Sequence, residues 1–139
     1  MIRYWYFLCT VLLCAVPGGP AARVMAAEGV ILGVGTHLSG GKRDIISRLD
    51  LLQAAGVKSI RDDAAWALVE QKKGELKIPA HWDVLVDEAA RRGIEVLWIL
   101  DYGNRFYDGG GKPFSDDGRN AFARYAAFVV EHFKGRVSC

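Results

Sequence analysis

The sequence alternates three short apolar runs with segments of helical period, and no other feature restricts the fold as much. The first run is Val30-Ile31-Leu32-Gly33-Val34 and the third is Val96-Leu97-Trp98-Ile99-Leu100. Neither alternates apolar with polar, the pattern of a parallel strand covered on both faces. The second, around Lys58-Ser59-Ile60-Arg61, is shorter, and Asp62 to Pro79 reads as a long connection. Asp44 to Ala55 places Ile45, Leu49 and Leu52 on one helical face, and Gly56 follows where a left-handed stop is favoured. A second helix starts near Pro79, a residue tolerated in a first turn. It turns Trp82, Leu85, Val86 and Ala89 inward and Asp83, Asp87, Glu88 and Arg91 outward, and ends at Gly93. The last helix has Ser115 as N-cap, with Asp116 and Asp117 favouring its dipole. Phe122, Tyr125, Val129 and Phe133 follow at helical spacing, and Gly135 closes it. Val137-Ser138-Cys139 reads as the start of a fourth strand. A βαβαβα order demands a parallel sheet, either small and doubly wound or the first part of a (β/α)8 barrel. A complete barrel takes about 250 residues, so residues 27–139 hold less than half of one.

Residues 1–26 read as a secretory signal peptide, with Arg3 ahead of an apolar stretch from Tyr4 to Val16. Pro17-Gly18-Gly19-Pro20 then breaks any helix, and Val24-Met25-Ala26 supplies the small residues of a cleavage site. The stretch is shorter than the roughly 20 apolar residues of a spanning helix. The expected mature domain, residues 27–139, is therefore secreted or periplasmic. Cleavage removes Arg3 and Arg23 from 18 basic residues, and those that remain balance the 16 acidic ones. With no basic stripe left, neither nucleic acid nor a membrane surface is an expected partner. Cys9 and Cys14 leave with the leader, so Cys139 has no internal disulfide partner. A hydrophobic content of 51% argues against disorder, and the fold has to rest on packing alone.

Common chemistries of a strand followed by glycines fail on inspection. Gly33 and Gly35 begin a GxGxxG pattern, but Leu38 stands at its third glycine. Gly41-Lys42 resembles the end of a P-loop, but Arg43 replaces Ser/Thr and Thr36 replaces the leading Gly. His37, His81 and His132 are isolated, and no HExxH or CxxC spacing exists, so neither a metal nor a cofactor is expected. The strand ends instead carry Thr36 and His37, then Arg61, Asp62 and Asp63, then Asp101, Tyr102 and Asn104. Barrels place their functional groups at these ends. Polar side chains beside the rings of Trp66, Tyr102 and Tyr107 suit a sugar, whose hydroxyls need hydrogen-bond partners and whose C–H faces stack on aromatic rings. Against this, Trp66 and Trp82 also fit a core, and Asp63, Asp108 and Glu75 fit solvated loop charges.

The run Leu52-x-x-Ala55-Gly56-Val57-x-x-Ile60-Arg61-x-Asp63-x-x-Trp66-x-x-Val69-Glu70-x-x-x-Gly74 resembles clan A glycoside hydrolases, of the family-five cellulase and family-thirty-nine xylosidase type. Gly35-Thr36-His37 before it fits the same pattern, as do Trp82-Asp83, Gly93-Ile94-x-Val96-Leu97 and Phe133-Lys134-Gly135-Arg136-Val137 after it. The resemblance implies the first three βα units of a (β/α)8 barrel that hydrolyses O-glycosyl bonds of an extracellular polysaccharide or oligosaccharide with retention. It also implies an acid/base Glu after an Asn at the end of the fourth strand and a nucleophilic Glu near the seventh. Neither position lies within the sequence; the first would fall a few residues beyond Val137, so these residues alone are expected to be inactive. Glu70 lies where the family has a Glu without a catalytic role. Arg61 is the best candidate for supporting the nucleophile, with a salt bridge to Asp62 or Asp101 as its competing use. His37, Trp66, Tyr102 and Asn104 are the candidate cleft contacts. The alternative is a small secreted α/β module that binds carbohydrate or protein, or self-associates through an exposed sheet edge.

Overall fold

The computed structural model describes residues 30–41 and 44–137. The leader, Lys42, Arg43 and Ser138-Cys139 lie outside the described residues, and with them most of the expected fourth-strand start. The elements are β1 (Gly33–Gly35), α1 (Ile45–Ala54), β2 (Ser59–Ala65), α2 (Trp66–Val69), α3 (Ala80–Arg91), β3 (Glu95–Asp101) and α4 (Asp116–Phe133). A 3-10 turn at Leu38–Gly40 follows β1. Among the described residues no helix is long and apolar enough to cross a membrane.

The sheet runs β1-β2-β3 with every pair parallel. Strand order follows chain order without reversal, and this departs from the doubly wound alternative, whose order reverses at a switch point. The register pairs Val34 with Ile60 and Ile60 with Val96, and, one residue on, Gly35 with Arg61 and Arg61 with Leu97. Side chains alternate along a strand, so these two rows face opposite sides. Ile60, Ala64 and Val96 are buried in one core with Leu49, Trp82, Leu85, Val86, Tyr125, Val129 and Phe133. On the opposite face Arg61 is exposed and Leu97 is 39% exposed. The expectation of strands covered on both faces is thus met on one face only. The apolar residues of the open face suit the interior of a closed barrel, which side chains fill.

Two elements differ from the sequence reading. β1 is shorter, although the Leu32 carbonyl still accepts the Lys58 N–H at 2.9 Å. β2 continues four residues beyond Arg61, through Asp62 and Asp63 to Ala65. Charges at these positions suggest a loop, but loop N–H groups and neighbouring side chains satisfy both carboxylates inside the strand. α2 is a single turn within the segment read as a connection, and Pro79 caps α3 rather than opening it. Asp44 caps α1 by accepting the Ile46 and Ser47 N–H groups. The Ser115 hydroxyl caps α4 by accepting the Gly118 N–H at 3.0 Å. Ser115→Ala should cost about 1 kcal/mol, read as a lower urea midpoint at unchanged slope.

Candidate functional site

The loop after β1 is fastened from below by Asp62. This buried carboxylate accepts the Thr36 hydroxyl and the Leu38 N–H, both at 2.6 Å, and the Ser39 and Asp63 N–H groups at 3.4 and 2.8 Å. The Thr36 N–H adds a bond to the Arg61 carbonyl at 2.8 Å. The Ser39 carbonyl in turn accepts Trp82 Nε1 at 3.0 Å and lies 2.6 Å from His81 Nε2, which ties the loop to the start of α3. His81 is half-buried for this reason. The effect is to set His37 over the C-terminal end of β2.

Asp63 is the centre of the cluster there. It is only 7% exposed, yet it lies on the open face of the sheet, one residue from Asp62. Its Oδ2 is 3.1 Å from His37 Nδ1 and accepts the Tyr102 hydroxyl at 3.3 Å, and its Oδ1 is 3.9 Å from Arg61 Nη2. The reading of Asp63 as a solvated loop charge is therefore corrected: the longer β2 carries it into the site. Arg61, with a side chain 54% exposed, turns to Asp63 and not to Asp62, which sits on the other face of the strand. Asp101 completes the group. Burial and then the charge of Asp63 raise its carboxyl to about 6, against the opposing charges of Arg61 and His37.

Tyr102, next along the chain, has a left-handed backbone with φ 60°. That conformation costs a residue with a Cβ roughly 1–2 kcal/mol. Strain of this kind collects at functional sites. Here it leaves the ring 62% exposed while its hydroxyl reaches Asp63. The charges of Asp63 and Asp101 raise the hydroxyl above its ordinary pKa. Gly103 follows because a Cβ there would collide with the Gly110 and Gly111 carbonyls of the same loop. Asp108, also read as a solvated charge, instead organises this loop by accepting the Phe114 and Ser115 N–H groups at 3.0 and 3.3 Å.

The other ring and amide candidates are not part of this surface. Trp66 is 0% exposed. It is stacked on Tyr107 at 5.0 Å and on Tyr125 at 5.8 Å. Tyr107 is buried with it. Asn104 is buried too, donating to the Glu70 carbonyl at 2.9 Å and accepting the Phe106 N–H at 3.1 Å. Glu70 joins these parts: its buried carboxylate accepts Trp66 Nε1 at 2.7 Å, the Gly74 N–H at 2.6 Å and the Tyr107 hydroxyl at 2.7 Å. Trp66, Tyr107, Glu70 and Asn104 thus clamp the loops after β2 and β3 together and offer no face to a ligand. Sequence spacing brought them near the strand ends but carried no sign of which way they point.

The surface that remains combines donors on Arg61, His37 and Tyr102, acceptors on Asp63 and Asp101, and one exposed ring. This set suits a hydroxyl-rich ligand. Its two carboxyl groups stand on neighbouring strands of one sheet face, where the charge of Asp63 helps to raise the Asp101 carboxyl.

No protein-family profile matches the sequence, and no curated protein is detectably similar to it. Solved structures are similar. A family 39 glycoside hydrolase from the gut symbiont Bacteroides cellulosilyticus matches with a TM-score of 0.68 and 28% identity, over 76% of this chain and 22% of its own. An exo-β-1,4-mannosidase from an Opitutaceae bacterium matches with a TM-score of 0.67 and 21% identity over the same shares. A Pseudomonas stutzeri endoglucanase matches with a TM-score of 0.61 and 20% identity, over 76% of this chain and 38% of its own. The chain spans about a fifth of the length of the first two. Its parallel, one-sided three-stranded sheet is the fold of the N-terminal part of TIM-barrel glycoside hydrolases, and the resemblance to clan A enzymes of families 39 and 5 holds over most of its length.

Proposed function

We propose that this chain supplies one side of the substrate cleft of an O-glycosyl hydrolase that acts outside the cytoplasm on a polysaccharide or oligosaccharide. The observation that carries this reading is the Arg61–Asp63–His37–Tyr102 cluster on the open sheet face, at the strand ends where barrels hold substrate. Arg61 and His37 donate to sugar hydroxyls, Asp63 accepts from them, and the Tyr102 ring stacks on a sugar C–H face. In the complete enzyme the bond is broken by a separate carboxylate pair in a double displacement. Arg61 helps to keep the nucleophile ionised.

Titration calorimetry of the full chain with gluco-, manno- and xylo-oligosaccharides should detect binding to at least one of them. Tyr102→Ala should weaken that binding about tenfold, as loss of roughly 1.4 kcal/mol of ring stacking implies. The same chain should release no reducing sugar. Absence of binding across the panel would overturn the cleft assignment, and steady turnover would overturn the assignment of catalysis to a separate pair.

A second reading, a carbohydrate- or protein-binding module without catalysis, draws on a different observation. β3 is paired on one side only among the described residues, and an apolar groove of Leu97, Leu100, Val130, Phe133 and Val137 runs beside its other edge. Such an edge accepts another strand. A concentration-dependent dimer in gel filtration would favour this reading.

A further inference from the structure

We infer that His37 and Asp63 form a general-base pair that hydrolyses a carboxylic ester over the open sheet face, with Arg61 facing the negative charge that develops on the ester's carbonyl oxygen. The inference goes beyond the cleft reading, in which His37 only donates to hydroxyls, and does not depend on it. Asp63 Oδ2 lies 3.1 Å from His37 Nδ1. A carboxylate oxygen accepts only, so Nδ1 carries the hydrogen and Nε2 of the neutral ring is left as an acceptor. Of the three histidines, two are occupied at Nε2, His81 by the Ser39 carbonyl at 2.6 Å and His132 by Asp83 at 2.8 Å. His37 is bonded at Nδ1 instead, and its side chain is 74% exposed, so Nε2 meets water.

The fold holds this imidazole by its backbone and by its ring. Asp62 fixes the chain on either side of it by accepting the Thr36 hydroxyl and the Leu38 N–H, both at 2.6 Å. Asp63, on the other face of β2 and only 7% exposed, fixes the ring itself. The Tyr102 hydroxyl donates to the same Oδ2 at 3.3 Å and holds the carboxylate in place. Arg61 approaches the second oxygen, with Nη2 3.9 Å from Oδ1. One carboxylate therefore brings a base and a cation to the same open face, each with more than half of its side chain exposed. His37 is the catalytic residue and Asp63 a positioning residue: Asp63 sets the tautomer and steadies the imidazolium that forms.

The sign of the developing charge selects the substrate class. Glycoside cleavage develops positive charge in the sugar ring, and a base beside a guanidinium does nothing to stabilise it. Ester hydrolysis places negative charge on the carbonyl oxygen, where a guanidinium is favourable. A water oxygen bonds to the carbonyl carbon while Nε2 takes a proton from that water. The carbonyl π electrons move to oxygen, opposite Arg61. The bond from carbon to the alcohol oxygen then breaks, and the departing oxygen takes the proton back from Nε2. One water is consumed, one acid and one alcohol form, and His37 ends as it began.

Hydrolysis of p-nitrophenyl acetate by the full chain tests this, with no sugar present. The chain should turn over repeatedly and exceed an equal concentration of free imidazole. His37→Gln should lower kcat about a hundredfold, within the range that general-base catalysis contributes. His132→Gln, which removes an imidazole paired with a different carboxylate, should leave the rate unchanged. Asp63→Asn should lower kcat about tenfold with little change in KM, because an amide no longer dictates the tautomer. Long-range proton–nitrogen NMR should then show the neutral His37 ring leaving the Nδ1–H form that it holds in the native chain, a change that loss of packing alone does not produce. Turnover no faster than free imidazole, a His37→Gln rate equal to the native one, or an equal loss in His132→Gln would each overturn the inference. So would a native His37 ring in the Nε2–H form, or a folded Asp63→Asn chain with native rate and tautomer. If Asp63→Asn does not fold, the native tautomer and the His37→Gln rate decide.

Discussion

Trp66→Ala should destabilise the chain by about 3–5 kcal/mol, a large part of the roughly 5–15 kcal/mol that holds a typical domain together. The indole is fully enclosed, stacked on Tyr107 within 11° of parallel and met edge-on by Phe122 at 5.5 Å. Truncation leaves a cavity lined by the rings of Tyr107, Phe122 and Tyr125, which lose their shared partner. It also removes the Nε1 donor from the buried Glu70 carboxylate, leaving that charge with Gly74 and Tyr107. Trp66→Phe fills most of the cavity but still removes the donor, so it should fall between the native chain and Trp66→Ala. Tyr102→Ala is the contrasting substitution. Its ring is exposed, and its stability should change by no more than about 0.5 kcal/mol. Urea midpoints and oligosaccharide titrations on these variants separate the two rings: Trp66 should act on stability and Tyr102 on affinity. A Trp66→Ala chain with native stability and lost sugar binding would contradict the core assignment.

The difference between these two aromatic residues also shows where the sequence was readable. The inward faces of α1, α3 and α4 followed from spacing, because a helix buried on one side must repeat its apolar residues every three or four positions. Ile45 and Leu49, the four residues from Trp82 to Ala89, and Tyr125, Val129 and Phe133 are all buried as that spacing requires. The Ser115 cap was equally legible, since a short hydroxyl before two acids has one favoured use there. Asp62 and Asp63 were not. Composition marks two adjacent acids as loop, and only the parallel pairing of β2 with β3 shows them pointing to opposite faces of a strand. One secures a loop and the other centres the cluster. Arg61 and His37 were recognisable as strand-end groups, but that Asp63 joins them required the fold. The order of the strands and their single covered face likewise depend on contacts distant in sequence, which a periodic pattern does not encode.

Asp62→Ala should be the second large effect, about 3 kcal/mol, because it strands several buried donors together. The carboxylate accepts two loop N–H groups, its neighbour's N–H and the Thr36 hydroxyl, and it lies where water cannot replace it. Its negative charge also faces the N-terminus of the 3-10 turn, so the substitution removes a favourable charge as well as acceptors. Asp62→Asn keeps the shape but points an amide donor at N–H groups that are donors themselves, and it should recover only part of the loss. The damage should be local before it is global. Amide exchange at Leu38 and Ser39 should accelerate more than exchange at Val96 in the central core, since the loop loses its anchor while β2 and β3 stay paired. His37 would then no longer be held at 3.1 Å from Asp63, and oligosaccharide affinity should fall even where the chain remains folded. Unchanged exchange at Leu38 in Asp62→Ala would show that the Thr36 bond to the Arg61 carbonyl suffices to hold the loop, and that Asp62 does not position the site.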